Sequence, residues 1–262
     1  YGGFVCRKMG ISYLPTITGL GSTFQKSGPL LFLVERMYYE GLKKASCVFF
    51  QNEENRQIFR RGGLVSGKDR LVPVSGVNTK VWQAMPYPKD EVTNFLFVGR
   101  VMKEKGIEEF FRAAEVLHSE KVLFSICGYC DEDYQGELDE RASRGEILQL
   151  GFHPDMHEYY RDCSAVVMPT WHEGMSNVLM EASACARPVI ASNISGCREI
   201  FEDGVTGYGF APHSPEELIR TLRHFLTLDR SQRAAMGEAA RQKMIEEFDR
   251  EKVAAAYLEE IH

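Results

Sequence analysis

The chain has 262 residues, which at roughly 150 residues per domain makes one large or two small domains. Its 44% hydrophobic and 26% charged residues match a soluble globular protein, exclude disordered, collagen-like and fibrous readings, and contain no apolar run long enough to span a membrane. The net charge of −6 argues against a general nucleic-acid binder, but residues 1–90 hold 13 basic and 6 acidic side chains (+7), against 18 and 31 (−13) in residues 91–262. A basic first part suits an anionic partner such as a lipid headgroup or a diphosphate, with chance asymmetry on solvated faces as the alternative.

The chain opens on Tyr1-Gly2-Gly3-Phe4, which reads as a loop entering a helix with no signal peptide before it, so an N-terminal portion is expected to be missing. Strand-length apolar runs follow at 12–17, 46–51, 70–74, 94–99, 121–127, 147–151, 164–169 and 188–192, alternating with helical patterns. Strands apolar on both faces and separated by helices imply parallel sheets covered on both sides, the doubly wound α/β architecture, with ligands at the C-terminal strand ends. The stretch from Val81 to Val92, with Pro86 and Pro88, breaks the alternation and reads as a linker. Three domain spans are therefore expected: 1–90, 91–245 and a terminal helix at 246–262. From Pro215 the pattern is helical, with Ser214, Asp229 and Asp249 as helix starts. The seven cysteines, mostly in apolar runs (Cys47, Cys163, Cys185), read as small core residues in a reducing, cytoplasmic compartment. Cys127 and Cys130 form a CxxC without a second ligand pair and read as a strand end and turn; no metal site is expected.

The densest chemical signal is His172-Glu173-Gly174-Met175-Ser176-Asn177-Val178-Leu179-Met180-Glu181-Ala182, directly after the run ending at Pro169. Gly174 permits close backbone approach, and Ser176 or Asn177 can cap a helix whose first N–H groups suit a phosphate. Glu181 lies on a helix apolar on nearly every face, where a carboxylate needs partners: ligand hydroxyls such as a ribose diol, or a neighbouring Arg or backbone group. Glu173, seven residues earlier, is free to reach a second set of hydroxyls. After the strand at 94–99 comes Gly99-Arg100-Val101-Met102-Lys103-Glu104-Lys105-Gly106, in which Arg100 and Lys105 suit the growing charge of a departing diphosphate. His153 and His172 read as hydrogen-bonding loop residues rather than bases.

The pairing of GRxxxxKG with E-x7-E, followed by RPVIAS, Gly196-Cys197-Arg198-Glu199 and Asp203-Gly204-Val205-Thr206-Gly207, resembles the retaining glycosyltransferases of family 4 over most of the chain. Within that family it looks most like bacterial enzymes that extend lipid-linked sugars for capsule, exopolysaccharide or O-antigen. The resemblance implies a GT-B fold of two Rossmann-like domains, the first truncated at its N-terminal side here, with the terminal helix crossing back to it. It implies a metal-independent enzyme without a cofactor, taking a nucleoside diphosphate sugar, expected to be a UDP-sugar. Carried over by position, Arg100, Lys105 and Glu173 are catalytic. Glu181, Gly174, Met175, Ser176, Asn177, Val178, Phe152 and Gly128 bind the donor, and Thr18, Gly19, Gly21 and Asn78 face the acceptor side. The Ser75-Gly76-Val77-Asn78 loop is equally readable as a plain turn. The expected partners are the nucleotide sugar, a lipid-linked saccharide and an anionic membrane surface, met peripherally at the inner face of the cell membrane through Arg7, Lys8, Lys43, Lys44, Arg56, Arg60 and Arg61. Two rivals remain at this point: an epimerase or hydrolase on the same fold, consuming donor without acceptor, and a nucleotide-sugar binding module without turnover.

Overall fold

The computed structural model describes residues 1–18, 24, 28–72, 76–89 and 91–261. The chain separates into two compact units, one of residues 1–76 with 250–262 and one of residues 77–249. In the first, α1 (Gly2–Met9), β1 (Thr16–Ile17), α2 (Pro29–Leu42), β2 (Val48–Phe50), α3 (Glu53–Arg61) and β3 (Asp69–Leu71) surround a parallel sheet of order β1-β2-β3. The period-2 alternation of β2 divides its side chains between two cores. Val48 and Phe50 pack with Ile17, Leu42 and Phe59, whereas Cys47 and Phe49 pack with Val253 of a last helix at Arg250–Leu258. Asn52 caps α3 by accepting from the Asn55 N–H at 2.8 Å, and Glu53, Glu54 at its start and Arg60, Arg61 at its end complement the helix dipole.

The second unit holds β4 (Thr93–Val98), α4 (Ile107–Leu117), β5 (Val122–Cys127), α5 (Gln135–Ser143), β6 (Leu148–Gly151), α6 (His157–Asp162), β7 (Ala165–Met168), α7 (Asn177–Ala184), β8 (Val189–Ser192), β9 (Gly207–Phe210), α8 (Pro215–Thr227) and α9 (Arg230–Lys243). The helix at Arg250–Leu258 is α10. All six strands run parallel in the order β6-β5-β4-β7-β8-β9, a doubly wound arrangement whose direction of growth reverses between β4 and β7. Phe95, Phe97, Phe124 and Ile126 of the central strands form a core with Phe110, Phe111, Leu218, Leu222 and Phe225 of α4 and α8. The eight predicted strands are present, and β9 is an addition, because the two glycines of Gly-Tyr-Gly-Phe weaken its strand pattern and β8 supplies its partner over Val189–Ser192. As predicted, Ser214 and Asp229 start helices; Asp229 closes a capping box with Gln232.

Residues 77–89, placed in the sequence reading with the first domain, cluster with the second unit. Three arginines hold this segment by its main-chain carbonyls. Arg187, fully buried, donates to Met85 O at 3.1 Å and Pro86 O at 2.8 Å; Arg230 donates to Tyr87 O and Pro88 O, both at 2.8 Å; Arg241 donates to Thr79 O at 3.0 Å and to Trp82 O. The two ends of the unit also meet. Val77 N–H donates to Phe248 O at 2.8 Å, and the Thr79 hydroxyl donates to Asp249.

Candidate active site

Because β4 and β7 are neighbours from which the chain departs to opposite sides, their C-terminal ends open a crevice at the switch point. Two loops enter it. The first leaves β4 through Gly99 and Arg100 and makes a 3-10 turn at Lys103–Lys105; the second leaves β7 at Pro169. Gly106 brings them together, with φ 75° and so little room that a Cβ would sit 2.0 Å from Pro169 O. Glu104 O then accepts from Trp171 N–H at 2.9 Å and from the Thr170 hydroxyl at 3.3 Å. This docking sets the Lys105 ammonium against the Glu173 carboxylate in an ion pair whose side chains are 24% and 15% exposed. Arg100 behaves differently. It is exposed and pairs with Asp131 at 2.6 Å, and among the described residues no hydrogen bond or ion pair joins it to Lys105 or Glu173.

Ser176 caps α7, its hydroxyl oxygen accepting from Leu179 N–H at 3.3 Å. That satisfies one first-turn donor, and the N–H groups of Asn177 and Val178 have no partner inside the helix. Met175 is buried behind the cap, while Asn177 is exposed. The loop is braced from the segment after β8. Ser176 N–H donates to Gly196 O at 2.9 Å, and Gly196, with φ 89°, lies where a Cβ would be 2.6 Å from Glu173 O and 2.7 Å from Gly174 O. Glu199 holds that segment, accepting from Gly196 N–H at 2.7 Å.

Glu181 lies half-buried one turn further along α7. Burial pushes its carboxyl up, against the pull of the Tyr160 hydroxyl, which donates to it at 3.3 Å, and of the His157 charge. One hydrogen bond leaves this carboxylate able to accept several more. Its satisfied-residue alternative in the sequence, an Arg or backbone partner, is replaced here by a tyrosine. His157 is itself held above its ordinary value by Asp155, 2.5 Å away, and its ring stacks on Trp82 with centroids 4.3 Å apart. Tyr160, His157 and Trp82 carry no sequence signal toward Glu181, since each is brought there by packing of α6 and the 77–89 segment.

At the neighbouring strand ends, Gly128 N–H donates to Gly151 O at 2.8 Å, joining β5 to β6, and the exposed Phe152 ring lies 6.0 Å from that of Tyr129. His153 hydrogen-bonds Leu150 O at 2.9 Å, a structural use of the ring. Asn78 closes a turn by accepting from Lys80 and Val81 N–H at 3.1 and 3.3 Å. In the first unit Thr18 is exposed after β1, whereas Gly19, Gly21 and Ser75 lie outside the described residues. Among the described residues no group of three or more His, Cys, Asp or Glu side chains is placed to hold a metal ion, and no helix is long and apolar enough to cross a membrane.

A family model described as "Glycosyl transferases group 1" matches residues 83–243. A Campylobacter jejuni N,N'-diacetylbacillosaminyl-diphospho-undecaprenol alpha-1,3-N-acetylgalactosaminyltransferase is 25% identical over 260 residues, covering 92% of this chain and 68% of its own length. Other curated relatives are spanned to a smaller extent, 33% for an inositol 3-phosphate glycosyltransferase and 51% for a glycogen synthase. Among solved structures, sucrose-phosphate synthase from Thermosynechococcus elongatus superposes with a TM-score of 0.81 at 23% identity, covering 98% of this chain and 70% of that one. Anabaena Alr3699/HepE in complex with UDP gives 0.83 at 18% identity, covering 99% and 74%. These neighbours share the GT-B fold, two Rossmann-like α/β parts, that the motifs imply. With its match running from the 77–89 segment through α9, over more than half the residues, the chain belongs to the glycosyl transferases group 1 family.

Proposed function

We propose that this chain is a retaining, metal-independent glycosyltransferase that moves a sugar from a UDP-sugar to a hydroxyl of a lipid-linked saccharide in surface polysaccharide biosynthesis. The observation that carries the reading is the Lys105–Glu173 pair in the β4/β7 crevice, beside the first turn of α7, whose next turn carries Glu181. A donor diphosphate competes with Glu173 for Lys105 and lies against the N–H groups of Asn177 and Val178, where the helix dipole favours its charge. Arg100, released from Asp131, adds a second cation. Glu181 accepts from the ribose hydroxyls, Glu173 from those of the transferred sugar, and the loops at Gly128 and Phe152 meet the base. As the bond from the anomeric carbon to the diphosphate oxygen breaks, the acceptor oxygen bonds to the same face and its proton passes to the departing phosphate. Lys105 and the α7 terminus stabilise the charge that grows there. The UDP of the HepE complex and the diphospho-undecaprenol acceptor in the Campylobacter relative's name support the donor and acceptor classes.

The first unit is assigned the acceptor side, with Thr18 and the segment holding Gly19 and Gly21. Exposed Lys8, Lys43, Lys44 and Arg61 would rest on an anionic membrane surface at the cytoplasmic face, assisted by exposed Phe4, Met9, Phe32 and Met37. Arg7, Arg56 and Arg60 are engaged within the unit, Arg7 with Glu40 and Arg56 and Arg60 with Asp69. The test is thermal stabilisation by UDP, GDP and ADP, where a ligand at 100 times its dissociation constant adds about 2.7 kcal/mol. Selective stabilisation by UDP, lost in Glu181→Ala, is expected. UDP release only with a lipid-linked acceptor, abolished in Glu173→Gln, completes the reading. Stabilisation by no nucleotide, or UDP release without acceptor, overturns it.

A further inference from the structure

Beside the crevice, α4 carries one carboxylate among apolar neighbours. Ile107, Phe110, Phe111, Ala113 and Ala114 are buried as expected for a helix against a sheet, and so is Glu109, at 5% exposure. Burying a carboxylate is costly unless its oxygens find donors. Glu109 Oε1 accepts from the indole N–H of Trp171 at 2.9 Å, and Oε2 has no partner among the described residues. A carboxyl group buried with one indole donor points to a demand on the position of that indole. Placement in the first turn of α4, where the helix dipole favours an anion, lowers the cost.

Trp171 is fastened on every side. Its own N–H binds Glu104 O, the Lys103 ammonium lies 5.9 Å from its ring centre, and the His213 ring lies 4.4 Å away. It stands two residues before Glu173 and three after Met168, the last residue of β7. The loop that presents Glu173 is thus tied at its midpoint to α4. Lys105, on the opposing turn, has its own anchor, the Lys103 N–H donating to Glu132 at 2.8 Å.

We propose that Glu109 and Trp171 form a positioning pair that fixes Glu173 where it meets the transferred sugar, and that the diphosphate grip of Lys105 and α7 does not depend on the pair. The proposal rests on the assignment of Glu173 to the sugar hydroxyls. Calorimetric titration of the full chain with UDP and with UDP-glucose, UDP-galactose, UDP-GlcNAc and UDP-GalNAc separates the two. In Trp171→Phe and Glu109→Ala, affinity for the best UDP-sugar relative to that for UDP should fall about tenfold, as in Glu173→Gln, with UDP affinity held or raised because Glu173 competes less for Lys105. Glu109→Gln, whose amide oxygen still accepts from the indole, should bind like the parent. An equal fall for UDP and UDP-sugar, or no fall in Trp171→Phe when Glu173→Gln falls, overturns the pair. If Glu173→Gln itself changes nothing, the sugar assignment of Glu173 fails first and the pair with it. A second readout needs no nucleotide. The chain has two tryptophans, hence two indole cross-peaks in a 1H–15N spectrum. Glu109→Ala should move the Trp171 indole peak and the Glu173 amide together. A Glu173 amide that stays in place refutes the pair.

Discussion

Replacing Arg187 by Met removes a fully buried cation that makes no ion pair with a carboxylate among the described residues. Among the described residues its guanidinium donates to main-chain carbonyls: Tyr160 O and Arg161 O at the end of α6, Cys185 O and Ala186 O at 3.4 and 3.0 Å before β8, and Met85 O and Pro86 O in the 77–89 segment. Burial pushes the Arg187 value down, yet a guanidinium keeps its charge in proteins. Met matches the volume but leaves these carbonyls without their donor, and at about 1–3 kcal/mol for each buried acceptor left unsatisfied, the loss of two or three comes to about 3–5 kcal/mol. For a unit of 173 residues (77–249), at about 2–4 °C per kcal/mol, its unfolding midpoint should fall by roughly 6–20 °C. Arg187→Lys, which keeps the charge but concentrates its donors at one point, should recover only part of this. Scanning calorimetry reads the midpoint, and limited proteolysis should cut within 77–89 in the Met variant first. A Met variant as stable as the parent would refute the reasoning, because it would mean that the desolvation of the guanidinium already cancels its carbonyl bonds.

Three further outcomes are expected. Ser176→Ala removes the α7 cap and should cost about 1 kcal/mol in denaturant unfolding, whereas Ser176→Gly should cost only a few tenths. Gly106→Ala combines a left-handed backbone with a Cβ placed on Pro169 O, so it should destabilise by more than 2 kcal/mol, roughly, and weaken UDP binding through displacement of Lys105, as calorimetry would show. His157 titrates above its ordinary value because of Asp155, so the stability from this pair should be complete below about pH 6.5 and be lost as pH rises through the raised value. An NMR titration should find the His157 midpoint falling back toward 6.5 in Asp155→Asn, and an unmoved midpoint would count against the pairing.

The parts of this molecule legible in one dimension are those with a local cause. Apolar runs located the central strands because parallel strands covered on both faces have no polar positions to disguise them. The E-x7-E segment was legible because a strand end, a glycine, a capping serine and an apolar helix follow one another without interruption. What escaped was long-range. Two glycines hid β9, whose strand character comes from β8. Pro86 and Pro88 made the stretch from Val81 to Val92 read as a linker, whereas three distant guanidinium groups hold carbonyls of residues 79–88, and carbonyls are what every sequence possesses. Arg100 and Lys105, equivalent as cations in a motif, differ in fact because Asp131 lies in reach of one and Glu173 of the other. Glu109 and Trp171, 62 positions apart, announce themselves only when burial and an indole donor coincide.

The meeting of Val77 with Phe248, and of Thr79 with Asp249, has a consequence for engineering. Entry to and exit from the second unit lie side by side, so the unit is topologically a cassette inserted between residues 76 and 250. Such a cassette can be excised at 77 and 249, or circularly permuted by a short bridge between its natural ends and reopened at an exposed turn. A cut at 91 would not serve, because it discards the backbone on which Arg187, Arg230 and Arg241 close. Chimaeras that exchange this unit between relatives should therefore take their seams at 76/77 and 249/250, carrying the proline-rich segment along with the sheet it belongs to.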